Sequence, residues 1–227
     1  MAIRPVFQIC VDRAPPWFQV REIDFTWHAG FSRSQARKSV ESLHTQFLTQ
    51  FPGRRLLEVS SASSVALGQA LSAFTLQVAG DNGISGESVP LEVAYQGSKV
   101  FRHHGRLVEA YGLAPREAKR QAALRHTEDE LVAFEHEGVR WPLEPTTAFY
   151  DWLYLTALAA NESMSAELVE YDAFTDVKFN PAKSSSTQAR SAALYVGLAI
   201  HGDLQTAMSS AEEFRRCESL QESRGKG

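Results

Sequence analysis

The sequence predicts an α+β fold, a mainly helical single domain with a few short strands in the N-terminal third. Three observations predict it. β-Branched and aromatic residues crowd the first sixty positions in short runs separated by turn residues. From residue 90 onward, helix formers and apolar runs behind capping residues dominate. No internal repeat and no linker-like stretch breaks the 227 residues, a length within reach of one domain.

The elements follow in order. "RPVFQICV" and "VREIDFTW" read as strands, separated by the turn signal Ala14-Pro15-Pro16. "HAGFSRSQARKSVESLHTQFL" reads as a helix with Ser32 or Ser34 as N-cap. "RRLLEVSS" is another short strand, "SSVALGQALSAFTL" a helix running into strand, and "GDNGISGES" an exposed loop. "PLEVAYQGSKVF", residues 90–101, reads as one helix. "APREAKRQAALR" is a helix with Pro near its start, whereas "HTEDELVAFEHEGVRW" carries no decisive pattern. Thr146 is placed to cap the apolar helix "TAFYDWLYLTALAANE". "SAELVEYDAF" is a shorter helix, "TDVKFNPAKSSS" an irregular polar link, and "TQARSAALYVGLAIHGD" a small-residue helix suited to close packing. Residues 218–227 read as a flexible tail.

Composition narrows the function classes. Hydrophobic residues make up 44% and charged residues 22%, enough apolar material for a real core. The net charge of −4 supplies no global field for nucleic acid or anionic membrane. The two cysteines, Cys10 and Cys217, have no metal-ligand spacing, and the seven histidines form no HExxH. No apolar run reaches the roughly eighteen residues of a membrane span, and the N-terminus is unlike a signal peptide. The expectation is a soluble, cytoplasmic protein with no membrane partner.

Four stretches carry candidate chemistry. Glu92, Gln96 and Lys99 lie at i, i+4 and i+7, with Tyr95 close by, so on a helix they share one side. That side is either a solvated face or one turned to a ligand that needs an acid and an amine. In residues 179–191, three serines before a helix leave free N–H groups, with Lys183 and Arg190 nearby. This is an anion site or ordinary capping with solvated cations. In "FYDWLYL", Tyr150 or Trp152 offers a stacking surface for a planar ring, or the helix is simply core with Asp151 paired to a cation. Asp172 and Asp176 are either a carboxylate pair or residues of a helix end and a turn.

The 90–101 stretch resembles the signature helix of the NADAR superfamily of N-glycosidases, roughly E-H-Y-F-Q-A-Q-K-F, with the same Glu-to-Lys spacing and a mid-helix Gln; Val93 stands where that signature has His. Further motifs are similar to a longer branch encoded beside DNA-targeting ADP-ribosyltransferase toxins of the DarT type. They are "RPVF", "LLEVSS", "REAKR", "WPLEPTTAFYDWLYL" and "FTDVKFNPAKSSSTQARSAAL", in order along nearly the whole chain. One departure is Ser185-Ser186-Thr187, where that branch has an Asn-containing link.

The resemblance implies a domain over 1–220, with a branch-specific region at 1–80 and a glycosidase core at 81–215. It implies an antitoxin that removes ADP-ribose from guanine bases in DNA, releases ADP-ribose and needs no cofactor or metal. Glu92 would protonate the departing base. Lys99 would either hold a ribose hydroxyl or phosphate oxygen as a cation, or attack the sugar as an amine and form a Schiff base. Arg4, Ser60, Tyr95, Gln96 and Trp152 would bind the ligand, as would Asp176, Asn180, Lys183, Ser186, Gln188 and Arg190. Three other readings compete: a glycosidase of a small phosphoribosylated metabolite, a non-catalytic antitoxin that masks its toxin, and a plain ADP-ribose-binding module.

Overall fold

The computed structural model describes residues 1–12, 14–30, 32–81, 84, 86–181 and 186–224. Ala2–Ile9 (β1) and Phe18–Phe25 (β2) form an antiparallel hairpin, in register from Ala2 opposite Phe25 to Ile9 opposite Phe18. Ser32 caps Arg33–Gln50 (α1) by accepting from the Gln35 amide. Leu56–Glu58 (β3) is the expected third strand. After it come a short helix, Ala66–Ala70 (α2), and the two-residue strands Gln77–Val78 (β4) and Val89–Pro90 (β5), which pair with each other. The loop between them is exposed at Ile84 and 86–88, but Asp81 is buried against Arg106.

The helix expected over 90–101 stops early: Leu91–Gly97 (α3) is helical and Lys99–Phe101 (β6) is a strand. Gly97 lies so close to Tyr111 that an added Cβ would sit 2.3 Å from its ring. Ser98 Oγ donates to the Ala94 carbonyl at 2.8 Å, satisfying an end carbonyl of the helix. Val100 and Phe101 then favour strand. Gly97→Ala is therefore expected to destabilise the protein by about 1–3 kcal/mol through overpacking against Tyr111. Urea unfolding measures this, and an unchanged midpoint would remove Tyr111 from the account.

β6 pairs with Gly105–Arg106 (β7) and with Leu131–His136 (β8), and β8 pairs with Val139–Trp141 (β9). This second sheet, ordered β7-β6-β8-β9, lies beyond the N-terminal third. Between β7 and β8 run a 3-10 turn, Val108–Gly112, and the helix Pro115–Glu128 (α4), with Pro in its first turn. Ala148–Ala159 (α5) starts after Thr147, which takes the cap position in place of Thr146; Thr146 instead donates to Glu144.

Asn161 caps Glu162–Leu168 (α6) by accepting from the Met164 amide. The predicted continuation of that helix to Phe174 fails, because Ala173–Thr175 (β10) fills the slot between β1 and β3 and completes the sheet β2-β1-β10-β3. Alternation along its strands gives that sheet two apolar faces. Val6, Ile23, Phe25 and Ala173 meet Val40, Leu43 and Phe47 of α1, while Phe7, Phe18, Leu57 and Phe174 join the larger core.

Gln188–Ile200 (α7) packs on that second face, so closely that a Cβ at Gly197 would lie 2.6 Å from Trp17. Leu204–Ala207 (α8) leads to Ala211–Arg224 (α9). Of the tail expected to be flexible over 218–227, residues 218–224 are instead the end of α9, and the rest lies outside the described residues. Glu218 and Gln221 are buried, and Gln221 accepts from the Trp17 amide at 2.8 Å and donates to the Phe18 carbonyl at 2.9 Å.

Candidate active site

A cavity of about 770 Å³ opens between α3, α4 and the segments that follow β3, α2 and β10. Its size suits a nucleotide-scale ligand. Glu92 and Gln96 enter it from α3, one turn apart, and Gln96 Nε2 donates to Glu92 Oε1 at 2.8 Å. Lys99 arrives from β6, not from the same helix, because the chain turns at Gly97-Ser98. Nor is this a wet face: Glu92, Gln96 and Lys99 are 5%, 4% and 9% exposed. Gln96 Oε1 is buried with no hydrogen-bond partner among the described residues.

Burial pushes the Lys99 ammonium down to about 8, against the pull of Glu92 and with the help of Lys119. Its Nζ lies 3.1 Å from His126 Nε2 and 5.4 Å from the centre of the Tyr95 ring. Tyr95 stacks on Phe134 and meets Tyr150 edge-on, with centroids 5.3 and 5.1 Å away. Burial first, then Glu92, pushes its phenol upward, so it remains a neutral donor; Ser186 hydrogen-bonds it.

The opposite wall is tied down by buried Glu58, which accepts from Ser60 at 2.5 Å, from Thr175 at 2.7 Å and from the Val177 amide at 3.0 Å. Burial, and then Asp176, pushes the Glu58 carboxyl upward. Asp176 accepts from Thr187 at 3.2 Å and from Gln188 at 3.3 Å, and Gln188 in turn accepts from the Ala73 amide. These bonds draw the β3, α2 and β10 segments around one opening.

Of the residues predicted from sequence, the cavity brings together Glu92, Lys99, Ser60, Tyr95, Gln96, Asp176, Asn180, Ser186 and Gln188. Lys183 lies outside the described residues. Three others are elsewhere. Arg4 donates to the Val177 carbonyl at 3.3 Å and lies over Trp27, behind the Asp176 wall. Trp152 packs on Trp141 and Phe214, at 5.3 and 5.4 Å, so it is core, whereas Tyr150 does line the cavity. Arg190 is buried in ion pairs with Asp151 and Glu218, so its charge serves the join of α5, α7 and α9. Asp172 and Asp176 flank the ends of β10, four residues and roughly 13 Å of strand apart, and form no pair. Asp172 instead accepts from the Arg55 amide at 2.7 Å.

Sequence reasoning missed Arg116 and Lys119 of α4, Lys178 and Phe74, all of which line the opening. A signal for the first two exists: Ala118 and Ala122 are the buried stripe of α4, which leaves Arg116 and Lys119, three apart, on another face. Phe74 is 40% exposed at the mouth, an apolar ring left in water beside Lys119. No helix among the described residues is long and apolar enough to cross a membrane. No curated protein matches the chain. A family model does match, over residues 2–226, and the chain belongs to that family, the DarT1-associated NADAR antitoxins.

Proposed function

We propose that the protein is an ADP-ribosyl-guanine glycohydrolase that removes ADP-ribose from guanine in DNA and so acts, in the cytoplasm, as antitoxin to a DarT-type ADP-ribosyltransferase. The observation that carries this reading is one cavity in which buried Glu92 and Lys99, the latter held down to about 8, are ringed by Arg116, Lys119 and Lys178. The three cations suit a pyrophosphate. Tyr150 and exposed Phe74 offer rings for a base, and Gln96 Oε1, without a partner among the described residues, suits a hydroxyl or N–H of the ligand.

In this reading Glu92 gives its proton to guanine as the bond from the anomeric carbon to the base nitrogen breaks. The Lys99 amine donates its electron pair to the same carbon. The ring oxygen then leaves that carbon and takes up a proton as the C=N bond forms. Water adds to the carbon, the amine departs, and ADP-ribose is released. The lowered Lys99 ammonium supports the amine role, since free amine is then accessible near neutral pH. A net charge of −4 with a local cationic mouth favours an unpaired or extruded base over long duplex, so affinity for unmodified duplex is weak.

The test is a short DNA strand bearing ADP-ribose on guanine, followed by mass spectrometry with and without borohydride. Wild type restores guanine, releases ADP-ribose and yields a reduced adduct on Lys99. Lys99→Ala yields no adduct and loses at least 100-fold in rate. An untouched strand overturns the glycohydrolase, and full cell protection by Lys99→Ala would replace it with toxin masking.

A further inference from the structure

Lys99 Nζ is approached from two sides. On the cavity side stand Glu92, Gln96 and the Tyr95 ring. On the other, His126 Nε2 lies 3.1 Å away, from the last turn of α4. His126 is exposed to solvent, and its ring meets Phe101 edge-on at 5.1 Å, which fixes the ring plane. The imidazole thus spans the distance from a buried amine to bulk water.

The cavity also poses a proton problem. Glu92 is needed with its proton, to give to the departing base. If it took the Lys99 proton first, it would do so only by starting as carboxylate. Two proton transfers at one site call for two groups.

We propose that His126 is the proton acceptor that frees the Lys99 amine, acting through Lys99 and not on the substrate. This rests on the reading of Lys99 as nucleophile given above. The proton moves from Nζ to His126 Nε2, and the Nδ1 proton leaves to water. The freed electron pair attacks the anomeric carbon, and the amine takes up a proton again when hydrolysis expels it. Burial, and then the Lys99 charge, holds the imidazole below its usual range, so at neutral pH it is the base form that accepts. The groups facing the pair are Lys119 from α4, which opposes the ammonium, and Glu92 from α3, which favours it only until Glu92 takes up the proton it gives to the base.

Single-turnover release of ADP-ribose from the modified strand, from pH 5.5 to 9.5, tests this with His126→Gln and His126→Ala. Wild type slows as pH falls through the range where His126, held below an ordinary imidazole, takes up a proton. Both variants lose up to about 10-fold at pH 7, because an ammonium held near 8 already leaves roughly a tenth of Lys99 as free amine there. They regain rate above about 8, where Lys99 loses its proton to water. Added imidazole restores His126→Ala in proportion to its free-base concentration and leaves wild type unmoved. A variant with the wild-type profile overturns the proposal, as does a slowed variant indifferent to both pH and imidazole, which marks a purely structural histidine. Acetic anhydride labelling of Lys99, read by mass spectrometry, needs no substrate. Wild type is labelled faster than His126→Gln at pH 7 and equally at pH 10. Equal labelling at both overturns the relay even if the strand assay is silent, whereas an untouched strand with the expected labelling overturns only the glycohydrolase.

Discussion

Glu92→Gln is expected to lower the release of ADP-ribose by about 10²–10⁴-fold while leaving the fold and ligand affinity nearly unchanged, the range a positioned proton donor contributes. The substitution keeps the volume of a side chain that is 5% exposed, and the new amide's oxygen can still accept from Gln96 Nε2. What it removes is the transferable proton. The contact with Lys119, 3.6 Å away, is an ion pair only while Glu92 is without its proton, and the Lys119 side chain is 62% exposed, so solvent screens it. Single-turnover rates, calorimetric binding of ADP-ribose and a thermal melt separate the possibilities. A rate within threefold of wild type would exclude Glu92 as the acid. An affinity loss as large as the rate loss would make it a binding group instead.

The site was more legible in the sequence than the fold around it. The spacing of Glu92, Gln96 and Lys99 pointed to one shared face, and all three do share a cavity, yet by a different route. α3 supplies two of them and a strand the third, because Gly97 packs on Tyr111 and ends the helix. Local propensity cannot report a close approach to a residue fourteen positions away. The same limit hid β10, whose strand state comes from the slot between β1 and β3 and not from "YDAF" itself. It also hid the β6–β9 sheet, whose strands are two to six residues long. The hairpin β1–β2 and helix α1 were legible because their signals are local: a Pro-rich turn, alternation, and a Ser N-cap. Exposed cations were the hardest to sort. Arg116 and Lys119 look like any wet helix face until α3 is placed opposite, whereas Arg190, marked by the serine run before it, turns inward to Asp151.

Arg190→Met is expected to cost about 3–5 kcal/mol of stability, the loss seen when one member of a buried ion pair is removed. Arg190 donates to both Asp151 and Glu218, at 2.7 Å in the second case, and both carboxylates are fully buried. Without the guanidinium, two desolvated carboxylates face each other at the join of α5, α7 and α9. Ser191 and Thr147 are their remaining hydroxyl donors among the described contacts. Urea unfolding measures the cost. A ligand-binding Arg190 would instead lower ADP-ribose affinity at unchanged stability. Acid gives an independent check with a definite sign. Burial already raises the Asp151 carboxyl, opposed chiefly by Arg190, and loss of Arg190 raises it further. Folded Arg190→Met then binds more protons than its unfolded chain, so its stability rises as pH falls towards 5 and its deficit against wild type narrows. Replacing all three charges together, as Asp151→Leu, Arg190→Met and Glu218→Met, removes the orphaned carboxylates and should recover much of the loss. A triple variant no more stable than Arg190→Met would show that the arginine holds the helices by packing against Phe18, over whose ring it lies at 5.4 Å, and not by its charge.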